Sequence, residues 1–129
     1  MRSPAGFPSN RIGWITDRAT YLAMGKVPVR WVTPYFVLQV RPQPNPSDFS
    51  YRVGFTASRK VGGAVVRNRA RRRLRELVRL NLPNLMQPGH DLVLIARPAA
   101  AVAPFTELAQ TLTWAITRLQ LNKQEDRKP

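Results

Sequence analysis

The chain contains, at residues 65–76, the stretch VVRNRARRRLRE, which combines dense positive charge with a regular apolar pattern. Seven of the thirteen residues at positions 67–79 are arginine, yet Val66, Ala70, Leu74 and Leu77 recur at intervals of four and three residues. That spacing predicts an α-helix with one apolar stripe and several basic faces. A disordered basic tail would not need the stripe. We therefore expect a helix that packs on a core and presents a rigid array of guanidinium groups to a phosphate backbone.

The composition of the whole chain also favours a polyanionic partner. It has 21 Lys plus Arg against 7 Asp plus Glu, a formal net charge of +14 in 129 residues. Each phosphate that such a protein neutralises releases condensed counterions. The excess of arginine over lysine favours bidentate phosphate contacts. Nucleic acid is the first candidate and an anionic membrane surface the second.

Several functional classes are disfavoured by what the sequence lacks. There is no cysteine, which excludes disulfides, thiolate metal sites and cysteine nucleophiles and fits a cytoplasmic location. No apolar run reaches the roughly 18 residues of a membrane span, and the N-terminus does not resemble a secretory signal. The carboxylates are scattered singly, and His90, the one histidine, sits beside a Pro-Gly turn. A self-contained nuclease is therefore poorly supported.

The remaining pattern predicts a two-layer α+β sandwich with the order α-β-β-α-β-α. We expect one nucleic-acid-binding domain at residues 12–121 between a flexible N-terminal tail, 1–11, and a polar C-terminal tail, 122–129. The third strand is continuously apolar and should be central. General rules would make the crossover through the basic helix right-handed if the flanking strands are parallel neighbours. The predicted elements are a helix within residues 12–24, strands at 35–40, 51–58 and 92–96, the basic helix ending near Asn81 before Pro83, and a helix at 105–119.

Two features near the basic helix leave alternatives open. Asn68 either satisfies backbone donors at the start of the helix, or it bonds RNA or fixes the rotamer of an arginine. Gly62 and Gly63 can form an anion-binding turn, although no Walker-type spacing follows them. Elsewhere in the chain, Trp14, Trp31 and Trp114 are ambiguous between core and surface positions, with Trp114 expected to lie partly in the core and Trp31 on the surface.

The central block resembles the protein component of bacterial ribonuclease P. The resemblance rests on RVGFTASRKVG at residues 52–62, AVVRNR at 64–69 and RRRLRE at 71–76. YFVL at 35–38 and DLVLIARP at 91–98 fit the order of motifs in that family. The resemblance covers roughly residues 15 to 119, and an Arg-Asn-Arg core inside a basic helix is the hallmark of the family.

The resemblance implies a subunit that assists a catalytic RNA in removing the 5′ leader of precursor tRNA. In this family the RNA and the substrate hold the catalytic Mg²⁺ ions, so the chain would belong to an endoribonuclease without supplying a catalytic residue. Its partners would be the ribonuclease P RNA and the precursor-tRNA leader, with no membrane and no small-molecule substrate. The main rival is a non-enzymatic RNA-binding module of ribosomal or RNA-chaperone type.

The resemblance also implies a fold and a set of site residues. The fold is like the second domain of ribosomal protein S5, with a left-handed βαβ crossover in place of the right-handed default. The leader would lie in a cleft lined by Tyr21, Val37 and Gln39. RNA would be bound by residues on and before the basic helix, namely Arg59, Lys60, Arg67, Asn68, Arg69, Arg71, Arg72, Arg73 and Arg75.

The chain departs from the family pattern at four positions. Tyr21 stands where phenylalanine is usual, and Gly63 where asparagine is common. Gln39 and Gly25 each replace an aromatic residue. These differences fall mainly on the cleft, and the resemblance therefore implies weaker base stacking there than in most members.

Overall fold

A computed structural model describes residues 11–27, 29–45 and 47–122 of the chain. Most of the two tails predicted at 1–11 and 122–129 lies outside these residues. Among the described residues, no helix is long and apolar enough to cross a membrane. The elements, in chain order, are β1 (Ile12–Trp14), α1 (Arg18–Met24), β2 (Arg30–Val32), β3 (Phe36–Pro42), β4 (Tyr51–Thr56), α2 (Ala64–Leu85), β5 (His90–Ala96) and α3 (Phe105–Arg118), with short 3-10 turns at Arg59–Val61 and Pro98–Ala101.

The five strands form one mixed sheet in the order β1-β4-β5-β3-β2. β5 lies at its centre, parallel to β4 and antiparallel to β3, which confirms the position predicted from its apolar sequence. β4, α2 and β5 therefore form a crossover between adjacent parallel strands. The α+β class is confirmed, but the sequence prediction missed β1 and β2, because three-residue strands are too short to show an alternating pattern.

Helices pack on both faces of the sheet. Successive strand residues point to opposite faces, and one face joins α2 and α3 in the main core, to which Phe36, Val53 and Leu94 contribute. α1 lies against the other face, where its Met24 packs with Ile15 and Val93. Its first turn is capped by Asp17, whose carboxylate accepts a hydrogen bond from the backbone N–H of Thr20 at 2.8 Å.

The prediction that α2 ends near Asn81 was wrong, since the helix continues to Leu85 with Pro83 inside its last turn. A proline removes one backbone hydrogen bond, but Leu82 and Met86 on either side of it are fully buried. The hydroxyl of Tyr51 also donates a 2.5 Å hydrogen bond to the Met86 carbonyl oxygen. Burial raises the pKa of Tyr51 to about 12, so the hydroxyl stays protonated well into the alkaline range. Packing outweighs the local effect of the proline.

A buried carboxylate ties three strands together on the α1 face. Asp91 of β5 is completely buried and lies in register with Arg41 of β3 and Arg52 of β4. The Nε atoms of Arg41 and Arg52 donate to it at 3.0 and 2.9 Å, and Nη2 of Arg52 donates at 2.7 Å. One acidic residue thereby neutralises part of the arginine charge inside the fold.

We predict that Asp91→Asn lowers the free energy of unfolding by about 3 kcal/mol, because two partly buried guanidinium groups lose their counter-ion. Urea unfolding followed by circular dichroism measures the change. Glu76→Gln is the control, since it breaks the solvent-exposed pair with Arg79 and should leave stability nearly unchanged. Equal stability of the Asp91→Asn protein and the wild type would contradict this role.

Candidate nucleic-acid interface

The apolar stripe of α2 determines which of its side chains face solvent. Five residues of the helix are fully buried, and they recur with helical spacing: Ala70, Leu74, Leu77, Val78 and Leu82. Asn68, Arg69 and Arg72 are exposed on the opposite side. Glu76 is the one acidic residue of α2, and its pKa is lowered because Arg79 donates hydrogen bonds to it. The charge on the outward surface of the helix is therefore almost entirely positive.

Asn68 holds a neighbouring arginine in place. Its amide oxygen accepts a 2.6 Å hydrogen bond from Nη2 of Arg71, one helical turn later. This contact supports the alternative in which Asn68 fixes an arginine rotamer. Arg67 directly precedes Asn68 in the chain. Its Nε is buried, and no described group accepts a hydrogen bond from it. Its donor is the kind of group that an arriving phosphate or base can satisfy through a small side-chain movement.

Two of the predicted RNA-binding arginines make contacts inside the protein. Arg73 donates to the backbone carbonyl oxygens of Ala100, at 2.7 Å, and Ala103, and thereby joins α2 to the segment before α3. The guanidinium carbon of Arg75 lies 5.5 Å from the ring centre of Trp14 on β1. That both also reach RNA stays a prediction. The sequence does not show these contacts, because they join residues far apart in the chain.

The segment before α2 presents further cations at the start of the helix. Arg59 and Lys60 are exposed in a 3-10 turn that is anchored by buried Val61. Gly62 has φ 146°, in a region that side chains rarely adopt, so this turn requires glycine. The N-cap, Gly63, provides no side-chain acceptor, and the first turn has no acidic residue. The free N–H groups of that turn and the two cations lie together, as expected of an anion-binding turn.

The predicted leader-cleft residues lie together on the sheet face that α1 covers. Tyr21 packs over Gly54, where an added Cβ would approach its hydroxyl oxygen to 2.4 Å. That oxygen accepts a 3.0 Å hydrogen bond from the backbone N–H of Phe55. Val37 and Gln39 share this face but are only 9% and 5% exposed. Their role in leader binding stays a prediction.

The acidic side chains and His90 do not cluster among the described residues. No group of three or more His, Asp or Glu side chains within them is placed to hold a metal ion. His90 lies at the start of β5, with Nδ1 3.2 Å from the carbonyl oxygen of Gln87, which fits the predicted turn position. The arrangement is suited to binding a polyanion.

The sequence matches ribonuclease P proteins both in a family model and in individual relatives. Residues 11–120 match the family model described as Ribonuclease P. The ribonuclease P protein component of Paramagnetospirillum magneticum is 39% identical over 112 residues, with 84% of each chain covered. That of Ruegeria pomeroyi is 55% identical over 73 residues, which span 56% of this chain and 58% of the relative.

Solved structures show the same fold. The RNase P protein from Thermotoga maritima superposes with a TM-score of 0.68 at 26% identity, covering 81% of this chain and 94% of that one. The RNase P protein of Staphylococcus aureus has a TM-score of 0.68 and covers 85% of this chain and 97% of that one. Its 22% identity supports a likeness of fold alone.

Adjacent arginines of α2 should differ in what they do. We predict that Arg73→Gln lowers the free energy of unfolding by about 2 kcal/mol, because charged hydrogen bonds to two carbonyl groups are lost. Arg72→Gln removes the same charge from an exposed position and should leave stability unchanged while weakening binding to an RNA probe. Urea unfolding and fluorescence anisotropy measure the two effects. Similar losses of stability in both variants would refute the distinction.

Proposed function

Because the chain belongs to the ribonuclease P protein family, we propose that it assists a catalytic RNA in removing the 5′ leader from precursor tRNA. The observation that carries the proposal is the cationic outer surface of α2, which is rigidly mounted on a buried stripe. Such a surface suits the closely spaced phosphates of a folded RNA. Arg69 and Arg72 are the exposed arginines at its centre.

We assign the chemistry to the RNA partner. Phosphodiester hydrolysis by a protein needs a base or a set of metal ligands near the scissile bond. The described residues provide no such cluster of His, Asp and Glu side chains. In the proposal, Mg²⁺ would be held mainly by the RNA subunit and the substrate, where its chemistry would be to activate the attacking water. The protein contributes binding energy and orientation.

We further propose that the α1 face of the sheet receives the single-stranded leader. Tyr21 supplies an aromatic ring on that face, and Gln39 supplies an amide in place of an aromatic group. Because each base–aromatic stack contributes about 1–3 kcal/mol to single-strand binding, the replacement of an aromatic residue by Gln39 favours weaker binding of the leader. Because the proposed substrate is precursor tRNA, we propose that the protein acts in the cytoplasm.

Reconstitution with a matching ribonuclease P RNA tests the function. We expect the protein alone to leave precursor tRNA intact and to stimulate RNA-catalysed cleavage at low Mg²⁺. Cleavage by the protein alone would contradict the proposal. RNA binding without any stimulation would instead favour a non-enzymatic RNA-binding module.

The arginine surface has its own test. We predict that Arg69→Ala combined with Arg72→Ala weakens assembly with the catalytic RNA and reduces the slope of log K against log salt by about 1.5, the value for two lost phosphate contacts. The control pair, Arg30→Ala with Arg118→Ala, removes the same charge from β2 and α3. An unchanged slope in the first pair, or equal reductions in both, would argue against direct phosphate contact.

A further inference from the structure

An aromatic side chain that the predicted site does not include lies beside the basic helix. Trp14 ends β1 and is 39% exposed. Its ring centre lies 5.9 Å from that of buried Phe55, at an interplanar angle of 47°. The guanidinium carbon of Arg75 lies over both rings, at 5.5 and 5.8 Å. The indole is therefore held in place while much of its surface stays open.

The strand register places Trp14 on the α2 side of the sheet. It lies opposite Val53, and Ile12 lies opposite Tyr51, both core residues beneath α2. The predicted leader cleft is on the other face, where Tyr21 covers Gly54. Trp14 is therefore separate from the cleft.

Charge beside Trp14 favours RNA over a protein partner. Arg67, Arg71 and Arg75 are four residues apart, so they follow one side of α2 and end at the indole. Glu76 is turned to Arg79, to which it is hydrogen bonded. An aromatic face at the end of a row of arginines offers both stacking and phosphate contacts.

We propose that Trp14 is a stacking site for an unpaired nucleobase of an RNA strand whose phosphates follow Arg67, Arg71 and Arg75. The inference rests on the proposed RNA-binding function and adds a position to it. Stacking on an indole does not select one base, because every base has a π face. Arg75 lies over the indole, where it holds the ring in place and adds positive charge beside the open part of the indole surface.

Trp114 provides a matched comparison within the same protein. It is 52% exposed and does not belong to the core, contrary to the prediction from the sequence. The guanidinium carbon of Arg118 lies 5.7 Å from its ring centre. Trp114 lies on α3, away from Arg67, Arg71 and Arg75 of α2. It packs against Trp31 of β2, with the two ring centres 5.4 Å apart. Exposure and a neighbouring arginine are thus common to both tryptophans. Only Trp14 has the continuous cationic track.

Fluorescence can test the stacking directly, because the chain has three tryptophans. Trp31→Phe with Trp114→Phe leaves Trp14 as the reporter, and Trp14→Phe with Trp31→Phe leaves Trp114. We expect a short oligoadenylate to quench Trp14 and its abasic analogue of equal length to have little effect. Trp114 should respond to neither.

Three results would overturn the proposal. One is equal quenching of Trp14 by both oligonucleotides, which would show that only phosphates bind nearby. Another is unchanged emission at saturating oligoadenylate. The third is a change in Trp14 emission that depends on protein concentration without RNA, which would identify a second copy of the chain as the occupant.

Binding measurements separate this inference from the proposed function. We predict that Trp14→Leu lowers affinity for oligoadenylate about fivefold or more, the loss expected for one base–aromatic stack. Trp14→Phe should retain most of the affinity, and Trp114→Leu should match the wild type. Circular dichroism checks that each variant is folded. If Trp14→Leu binds as tightly as the wild type while the wild type still stimulates the catalytic RNA, the stacking site fails and the proposed function stands.

Discussion

The burial of one stripe of α2 against the sheet is the constraint on which the rest of the structure depends. Ala70, Leu74 and Leu77 are fully buried, so the helix cannot rotate about its axis without losing core packing. The arginines between them must then point sideways or outward. A cationic surface that would repel itself in a free peptide is thereby held in a fixed arrangement. The folding energy of the core supports a surface suited to RNA.

The arginines of α2 divide into groups with different surroundings. Arg73 is bonded to backbone carbonyl groups and holds the segment before α3, and Arg75 lies over aromatic rings at the sheet edge. Arg71 is held by Asn68. Arg69 and Arg72 remain exposed without such restraint. One basic sequence thus stabilises the fold at some positions and leaves others free for a partner.

Sequence reasoning was most successful where a long pattern repeats. The periodicity of the basic helix and the apolar run of β5 predicted the correct core face and the central strand, because burial recurs regularly along those elements. It failed at the end of α2, where packing of Leu82 overrides the local effect of Pro83. It also could not show the contact of Arg75 with Trp14, since local patterns carry no information on which distant side chains meet.

The candidate interface was likewise predicted only in part. The sequence identified the arginine-rich face but could not separate its exposed members from those bonded within the protein, because that depends on the tertiary partners of each side chain. The family resemblance suggested Val37 and Gln39 for the cleft, and the structure shows how little of either is exposed. Burial by α1 and its neighbours cannot be inferred from the alternation of β3.

Directed cleavage from a tethered iron chelate tests most directly that RNA docks on the outer face of α2. The chain has no cysteine, so Val65→Cys, on the exposed first turn of the helix, gives a single attachment point. Thr117→Cys on α3 gives a matched exposed control. We predict localised cleavage of the ribonuclease P RNA from position 65 and only background cleavage from position 117. Equal cleavage from both, or cleavage from position 117 alone, would contradict this account.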